Sequence, residues 1–143
     1  MQNDRFLVDT SAWLFALRKD PVPEIKNRID GLLKDDRVVT TGIVRVELLA
    51  GTRTEEEYRR LKTRLEALES IQTDDLIWKE ACESTFKLRR NGLTVPSTDV
   101  LIATCSLITD SVILHSDTHF DLMAKHLRLK VESFVKLLRK VGR

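Results

Sequence analysis

The strongest constraint on this chain lies near its start, where Arg5-Phe6-Leu7-Val8 runs into Asp9-Thr10-Ser11. A short apolar run of this kind has the length of a strand buried on both faces. Such a strand belongs in a parallel sheet covered by helices, and its carboxyl end delivers Asp9 to a sheet edge. Ligands of open parallel sheets bind at that edge. Asp9 is therefore the first functional candidate. The same residue is equally placed to N-cap a helix beginning near Ala12.

The pattern recurs along the chain. Arg37-Val38-Val39-Thr40 reads as a second strand and Ile71-Gln72-Thr73 as a minor one. Ser111-Val112-Ile113-Leu114-His115 reads as another buried strand, ended by Ser116-Asp117. Residues 129–134 alternate apolar and polar side chains, as a last edge strand does. Helical patterns fill the intervals. The first covers 12–18 and is broken by Pro21 and Pro23; the second, 24–33, carries Ile25, Ile29, Leu32 and Leu33 on one face. Thr41-Gly42 opens a helix bearing Ile43, Val46, Leu49 and Ala50, which Gly51 stops. Glu47 falls on or beside that apolar face. Thr54 caps a helix running to about Glu69, with Tyr58, Leu61, Leu65 and Leu68 as a core stripe, part of which is available to a partner. Asp74 or Asp75 caps another, ending at Gly92. Pro96-Ser97-Thr98-Asp99 begins an almost wholly apolar helix over 100–108, with Cys105 as core packing. A short helix over 120–127 and a basic helix or tail over 135–143 complete the chain. Strands alternating with helices predict a parallel sheet with helices on both faces, here a single domain over 1–143.

The 143 residues are enough for one domain with a real core. A formal net charge of +2 announces no global attraction to nucleic acid. Cys82 and Cys105 lack metal-ligand spacing and suit a reducing compartment. No run approaches the length of a membrane span, and the N-terminus lacks a signal-peptide pattern, so a cytoplasmic protein is expected. No Walker-type loop and no dinucleotide glycine pattern is present, which sets nucleotide-driven functions aside.

Asp9 and Asp117 both follow predicted strands, and parallel strands place those ends on one sheet edge. Asp99 opens the apolar helix that returns to the same edge. Glu47 joins them if its helix points that way, and on the inner side of an apolar helix it needs a cation or a basic partner. Each acid has a plainer role open to it. Asp99 can serve as a cap, Asp117 as a turn residue, and Glu47 as a partner of Arg45 or Arg53. Together, however, independent elements aim acids at one edge of one sheet. Converging carboxylates repel one another, and a hard divalent cation, Mg2+ or Mn2+, relieves that repulsion. The chemistry such a site supports is metal-assisted attack of water on a phosphodiester.

These residues carry a resemblance. Val8-Asp9-Thr10-Ser11-Ala12-Trp13, Val46-Glu47-Leu48-Leu49-Ala50-Gly51-Thr52-Arg53, Gly92-Leu93-Thr94-Val95-Pro96 with Asp99-Val100-Leu101-Ile102-Ala103, and Leu114-His115-Ser116-Asp117-Thr118-His119-Phe120 occur in one order over nearly the whole chain. In these segments the chain resembles the PIN domain family, and within it the VapC-type toxin ribonucleases of toxin–antitoxin pairs. The resemblance implies a three-layer α/β/α sandwich with a parallel sheet of four to five strands. It implies an Mg2+- or Mn2+-dependent endoribonuclease whose acids are Asp9, Glu47, Asp99 and Asp117. It implies a homodimer and a cognate antitoxin, with DNA reached only through the antitoxin. Ser11 or Thr10 matches the hydroxyl that supports the first Asp, and Asp121 is near enough to contribute. His115-Ser116 departs from the residues many members carry before the last Asp.

Other residues have weaker claims. His115, His119 and His126 match no zinc pattern and are expected to pack or cap. Arg89 and Arg90, with Lys87, are placed for contact with RNA phosphates or for a solvated helix face. Two other functions compete. A phosphotransferase with a strand-end Asp nucleophile lacks its second Asp here, because Thr10-Ser11 follows Asp9. A non-toxin PIN nuclease, or a silent protein-binding module on the same fold, stays open.

Overall fold

In the computed structural model the described residues are 3–142. Residues 1, 2 and 143, the ends of the expected 1–143 domain and the last residue of the basic tail, lie outside them. The strands are β1 (Phe6–Val8), β2 (Val38–Thr41), β3 (Glu69–Ile71), β4 (Val112–His115) and β5 (Lys130–Ser133). They form a five-stranded sheet in the order β3-β2-β1-β4-β5, and every pairing is parallel. The helices are α1 (Thr10–Leu17), α2 (Pro23–Lys34), α3 (Gly42–Ala50), α4 (Glu55–Glu66), α5 (Asp75–Arg90), α6 (Ser97–Thr109), α7 (Thr118–Met123) and α8 (Val135–Lys140). This is the expected α/β sandwich.

The order of strands positions the site. The chain adds β2 and β3 on one side of β1, then crosses to place β4 and β5 on the other. Strand order therefore reverses between β1 and β4, and a crevice opens there beyond the strand ends. Register aligns Val8 with Leu114, so Asp9 and the residues after His115 emerge side by side. Phe6, Leu7, Val8, Ile113 and Leu114 are all buried, as strands covered on both faces require.

Local chemistry sets the helix starts. Asp9, Thr41, Thr54, Asp74 and Asp117 each cap a helix by accepting from a backbone N–H in its first turn. Pro23 opens α2, where its missing N–H costs nothing. In α6, Val100 to Ser106 are all buried. Its polar members are satisfied: Thr104 donates to the Val100 carbonyl at 2.8 Å and Ser106 to the Ser111 carbonyl at 2.7 Å.

Four local expectations change, one of them the last-but-one helix, which is Thr118–Met123 and not 120–127 because Asp117 caps it. The minor strand is Glu69–Ile71 and not 71–73, because the α4 helix ends at Glu66 and residues 69–71 pair with Val39, Thr40 and Thr41. As an edge strand with an exposed Glu69, it shows no apolar run. In α3 the inward residues are Val44 and Leu48, while Val46 is 69% exposed. The face is rotated from the one expected, so Glu47 is exposed and escapes the cost of burial. In the α4 stripe only Leu65 is fully buried; Tyr58 is 41% exposed.

Candidate active site at the carboxyl edge of the sheet

Asp9 ends β1 and caps α1. Its Oδ2 accepts from both the Ser11 backbone N–H at 3.0 Å and the Ser11 hydroxyl at 2.6 Å. That hydroxyl in turn accepts from the Ser116 N–H at 3.0 Å, and the Ser116 hydroxyl donates to the Ser11 carbonyl at 2.9 Å. Ser11 thus stitches the end of β1 to the end of β4 while it holds Asp9. Thr10 has a different duty: its hydroxyl donates to Glu47 Oε1 at 2.7 Å. The two hydroxyls divide between two acids, one supporting the first Asp and the other the α3 glutamate.

Asp99 stands in the first turn of α6, and its Oδ2 lies 2.9 Å from His119 Nδ1. Asp117 caps α7; its Oδ1 accepts from the His119 backbone N–H at 2.9 Å and lies 3.2 Å from the same ring nitrogen. The side chain of Asp99 is 13% exposed and that of Asp117 31%. The cluster is therefore half-sheltered and open to solvent on one side.

The four acids act on one another. Asp9 is buried, and burial pushes its carboxyl up to about 6, against the pull of the Ser11 hydrogen bonds and with added repulsion from Asp99 and Glu47. Burial also raises Asp99; the His119 hydrogen bond opposes this, and the charges of Asp117 and Glu47 reinforce it. Asp9 thus feels Asp99 and Glu47, and Asp99 feels Asp117 and Glu47. One ligand atom from each of Asp99, Asp117 and His119 lies within 4.8 Å of the others. Hard oxygen donors at close quarters, with ionisation opposed by like charge, fit a divalent cation. A cation there would offset the repulsion that the fold imposes.

The remaining candidates lie further out. Asp121 accepts from the Ser133 hydroxyl at 2.9 Å and is outside the Asp99–Asp117–His119 group. His115 is fully buried behind Asp117. Its Nδ1 accepts from the Asp117 N–H at 3.1 Å, and burial lowers its pKa, which leaves the imidazole neutral with the proton on Nε2. That Nε2 is 3.3 Å from Asp121 Oδ1 but out of hydrogen-bond alignment. Arg89 and Arg90 are exposed in the last turn of α5, just before the loop that leads to Asp99, and Arg90 stacks over Phe86. His119, expected from the sequence to pack or cap, instead stands between two acids. The available signal was its place two residues after Asp117, at the start of a helix, where a cap brings side chains i and i+2 together.

A separate groove of about 690 Å³ lies between α1, α2 and α4. Trp13, Leu17, Leu33, Leu61 and Leu68 line it, with Lys26 and Arg64 among its charged residues. No carboxylate of the cluster reaches it. Among the described residues no helix is long and apolar enough to cross a membrane.

Comparison with known proteins agrees with this architecture. A family model of the PIN domain matches residues 6–126. The chain is 30% identical over 133 residues to the ribonuclease VapC11 of Mycobacterium tuberculosis, covering 90% of this chain and 98% of that protein. Its fold is similar to that of VapBC2 from Rickettsia felis, solved with a DNA fragment from their promoter (TM-score 0.75, 21% identity, 90% of this chain and 97% of that one). It is similar too to DNA-bound VapBC from Salmonella typhimurium (TM-score 0.74, 20% identity, 91% and 98%).

Proposed function

This chain belongs to the PIN domain family, and on that premise we propose that it is a divalent-metal-dependent endoribonuclease, the toxin of a toxin–antitoxin pair. The observation that carries the reading is the grouping of acids beyond the ends of β1 and β4: Asp99 and Asp117 share His119, and the carboxyls of Asp9 and Asp99 are both raised, by burial first and then by neighbouring acids. The naming of VapC11 as a ribonuclease supports it.

In this reading Asp9, Asp99 and Asp117 would hold Mg2+ or Mn2+, and Glu47 is exposed beside Thr10. The cation supplies Lewis acidity toward the phosphodiester and toward the attacking water. The chain's own residues do the rest. Ser11 holds Asp9 by two hydrogen bonds to Oδ2, which leaves Oδ1 for the cation. Glu47, exposed and aimed by Thr10, is the carboxylate best placed to orient the attacking water and take its proton. Arg89 and Arg90 bind flanking phosphates of the RNA by charge.

For the partner we propose a cognate antitoxin that brings DNA with it, a reading supported by the fold's likeness to VapBC solved with DNA, and we place its apolar side chains in the α1–α2–α4 groove. A homodimer in the cytoplasm completes the proposal. The test is RNA cleavage by purified protein with Mg2+, Mn2+ or EDTA, beside Asp9→Asn and Asp99→Asn. Cutting that needs metal and vanishes in both variants supports the reading. Cutting that survives EDTA or either substitution refutes it. Toxicity on expression, relieved by the co-expressed antitoxin, separates a toxin from a solitary nuclease.

A further inference from the structure

The residue that the carboxylate reading leaves without a purpose is His119. Its Nδ1 lies 2.9 Å from Asp99 Oδ2 and 3.2 Å from Asp117 Oδ1, between two acids on different elements. One ring nitrogen carries at most one proton, so it can donate fully to only one of them. Adjacent ligands of an octahedral ion with bonds of about 2.1 Å stand about 3.0 Å apart. The two observed separations, which are also hydrogen-bond lengths, are close to such edges, and the atoms of the two acids lie within 4.8 Å of each other. Bound by these three atoms, a cation would satisfy both carboxylates and the nitrogen lone pair together.

We infer that His119 Nδ1 is a direct ligand of the divalent cation, beside Asp99 and Asp117, and gives the site a preference for Mn2+ over Mg2+. The inference rests on the metal-dependent reading above and goes beyond it in adding a nitrogen donor to a set of acids. Imidazole suits transition metals, whereas Mg2+ is served by oxygen. The other histidines do not compete for the role. His115 is buried with its Nδ1 already engaged by the Asp117 N–H, and His126 lies outside the Asp99–Asp117–His119 cluster. The ring is well placed to hold its pose, since Phe120, the next residue, is fully buried and anchors α7.

The experiment is electron spin-echo spectroscopy on the Mn2+-loaded protein, with calorimetric titration of Mn2+ and Mg2+. Wild type, His119→Gln, His119→Asp and His126→Ala are compared, each checked for folding by circular dichroism. We expect the 14N modulation of a coordinated imidazole in wild type and in His126→Ala, and its loss in both His119 variants. The Mn2+ Kd should rise about tenfold or more in His119→Gln, with a smaller change for Mg2+. His119→Asp should restore binding without the nitrogen signal. Mn2+ bound to wild type with no 14N signal, or an unchanged Mn2+-to-Mg2+ ratio in His119→Gln, overturns the His119 inference alone. Failure of folded wild type to bind Mn2+ at all overturns the metal-dependent reading as well.

Discussion

The Thr10 hydroxyl donates to Glu47 Oε1 at 2.7 Å, tying the first turn of α1 to an exposed carboxylate on α3. The neighbouring hydroxyl, Ser11, instead holds Asp9 and bridges β1 to β4. Hydrogen bonds to a charged group contribute about 1.5–3 kcal/mol. Thr10→Val should therefore slow RNA cleavage by roughly tenfold to a hundredfold while leaving Tm nearly unchanged. Ser11→Ala should lower both rate and Tm. Steady-state kinetics and thermal unfolding of the two variants check this, and equal Tm losses would contradict it.

Asp9 is held at the cost of stability. Its folded pKa of about 6 stands above the ordinary 3.8. The unfolded chain therefore releases this proton first as pH rises. The favourable contribution is whole below about pH 4 and is lost progressively as pH climbs through about 6. At one pKa unit per 1.36 kcal/mol, the loss is about 3 kcal/mol at most. Asp9→Asn lacks this titration. In EDTA it should be more stable than wild type at pH 7.5 by a margin that shrinks toward pH 4, though inactive. Urea unfolding across that range reads the difference.

Metal should return what repulsion costs. A cation that binds only the folded chain stabilises it by about 2.7 kcal/mol at a hundred times its Kd. Mn2+ should raise the Tm of wild type and shift Asp99→Asn far less. Thermal unfolding with and without Mn2+ decides this.

Arg89 and Arg90 should act through charge. Each phosphate contact on a single strand contributes about 0.7 to the slope of log K against log salt. In an Asp99→Asn background, Arg89→Ala and Arg90→Ala should each weaken RNA binding and lower that slope by about this amount. An unchanged slope would leave these residues as a solvated helix face.

The α1–α2–α4 groove should be separable from catalysis. Leu17 lines it and is 41% exposed, so Leu17→Asp is tolerable to the fold. The variant should keep nuclease activity and lose antitoxin binding, measured by co-purification and by failure of the antitoxin to inhibit.

Much of this protein was legible in its sequence because its signals are local. Phe6–Val8 and Val112–His115 are apolar runs that can only be buried strands, and each runs into an Asp within two residues. The capping residues Thr54 and Asp74 mark helix starts through a side-chain oxygen and a nearby N–H. Topology then carries Asp9, Asp99 and Asp117 to one edge, since parallel strands share a carboxyl end. Other features were decided only by packing. Glu69–Ile71 is a strand because β2 offers it an edge, not because its residues favour one. The inward face of α3 is set by what lies beneath it, and a rotation of one residue puts Glu47 in solvent and within reach of Thr10. His119 comes within 3.2 Å of two acids only when α6 and α7 meet at the crevice. Spacing along the chain shows which elements form and which end of the sheet is charged. Which side chain touches which acid depends on the rotation and approach of separate elements, and those are settled by the core as a whole.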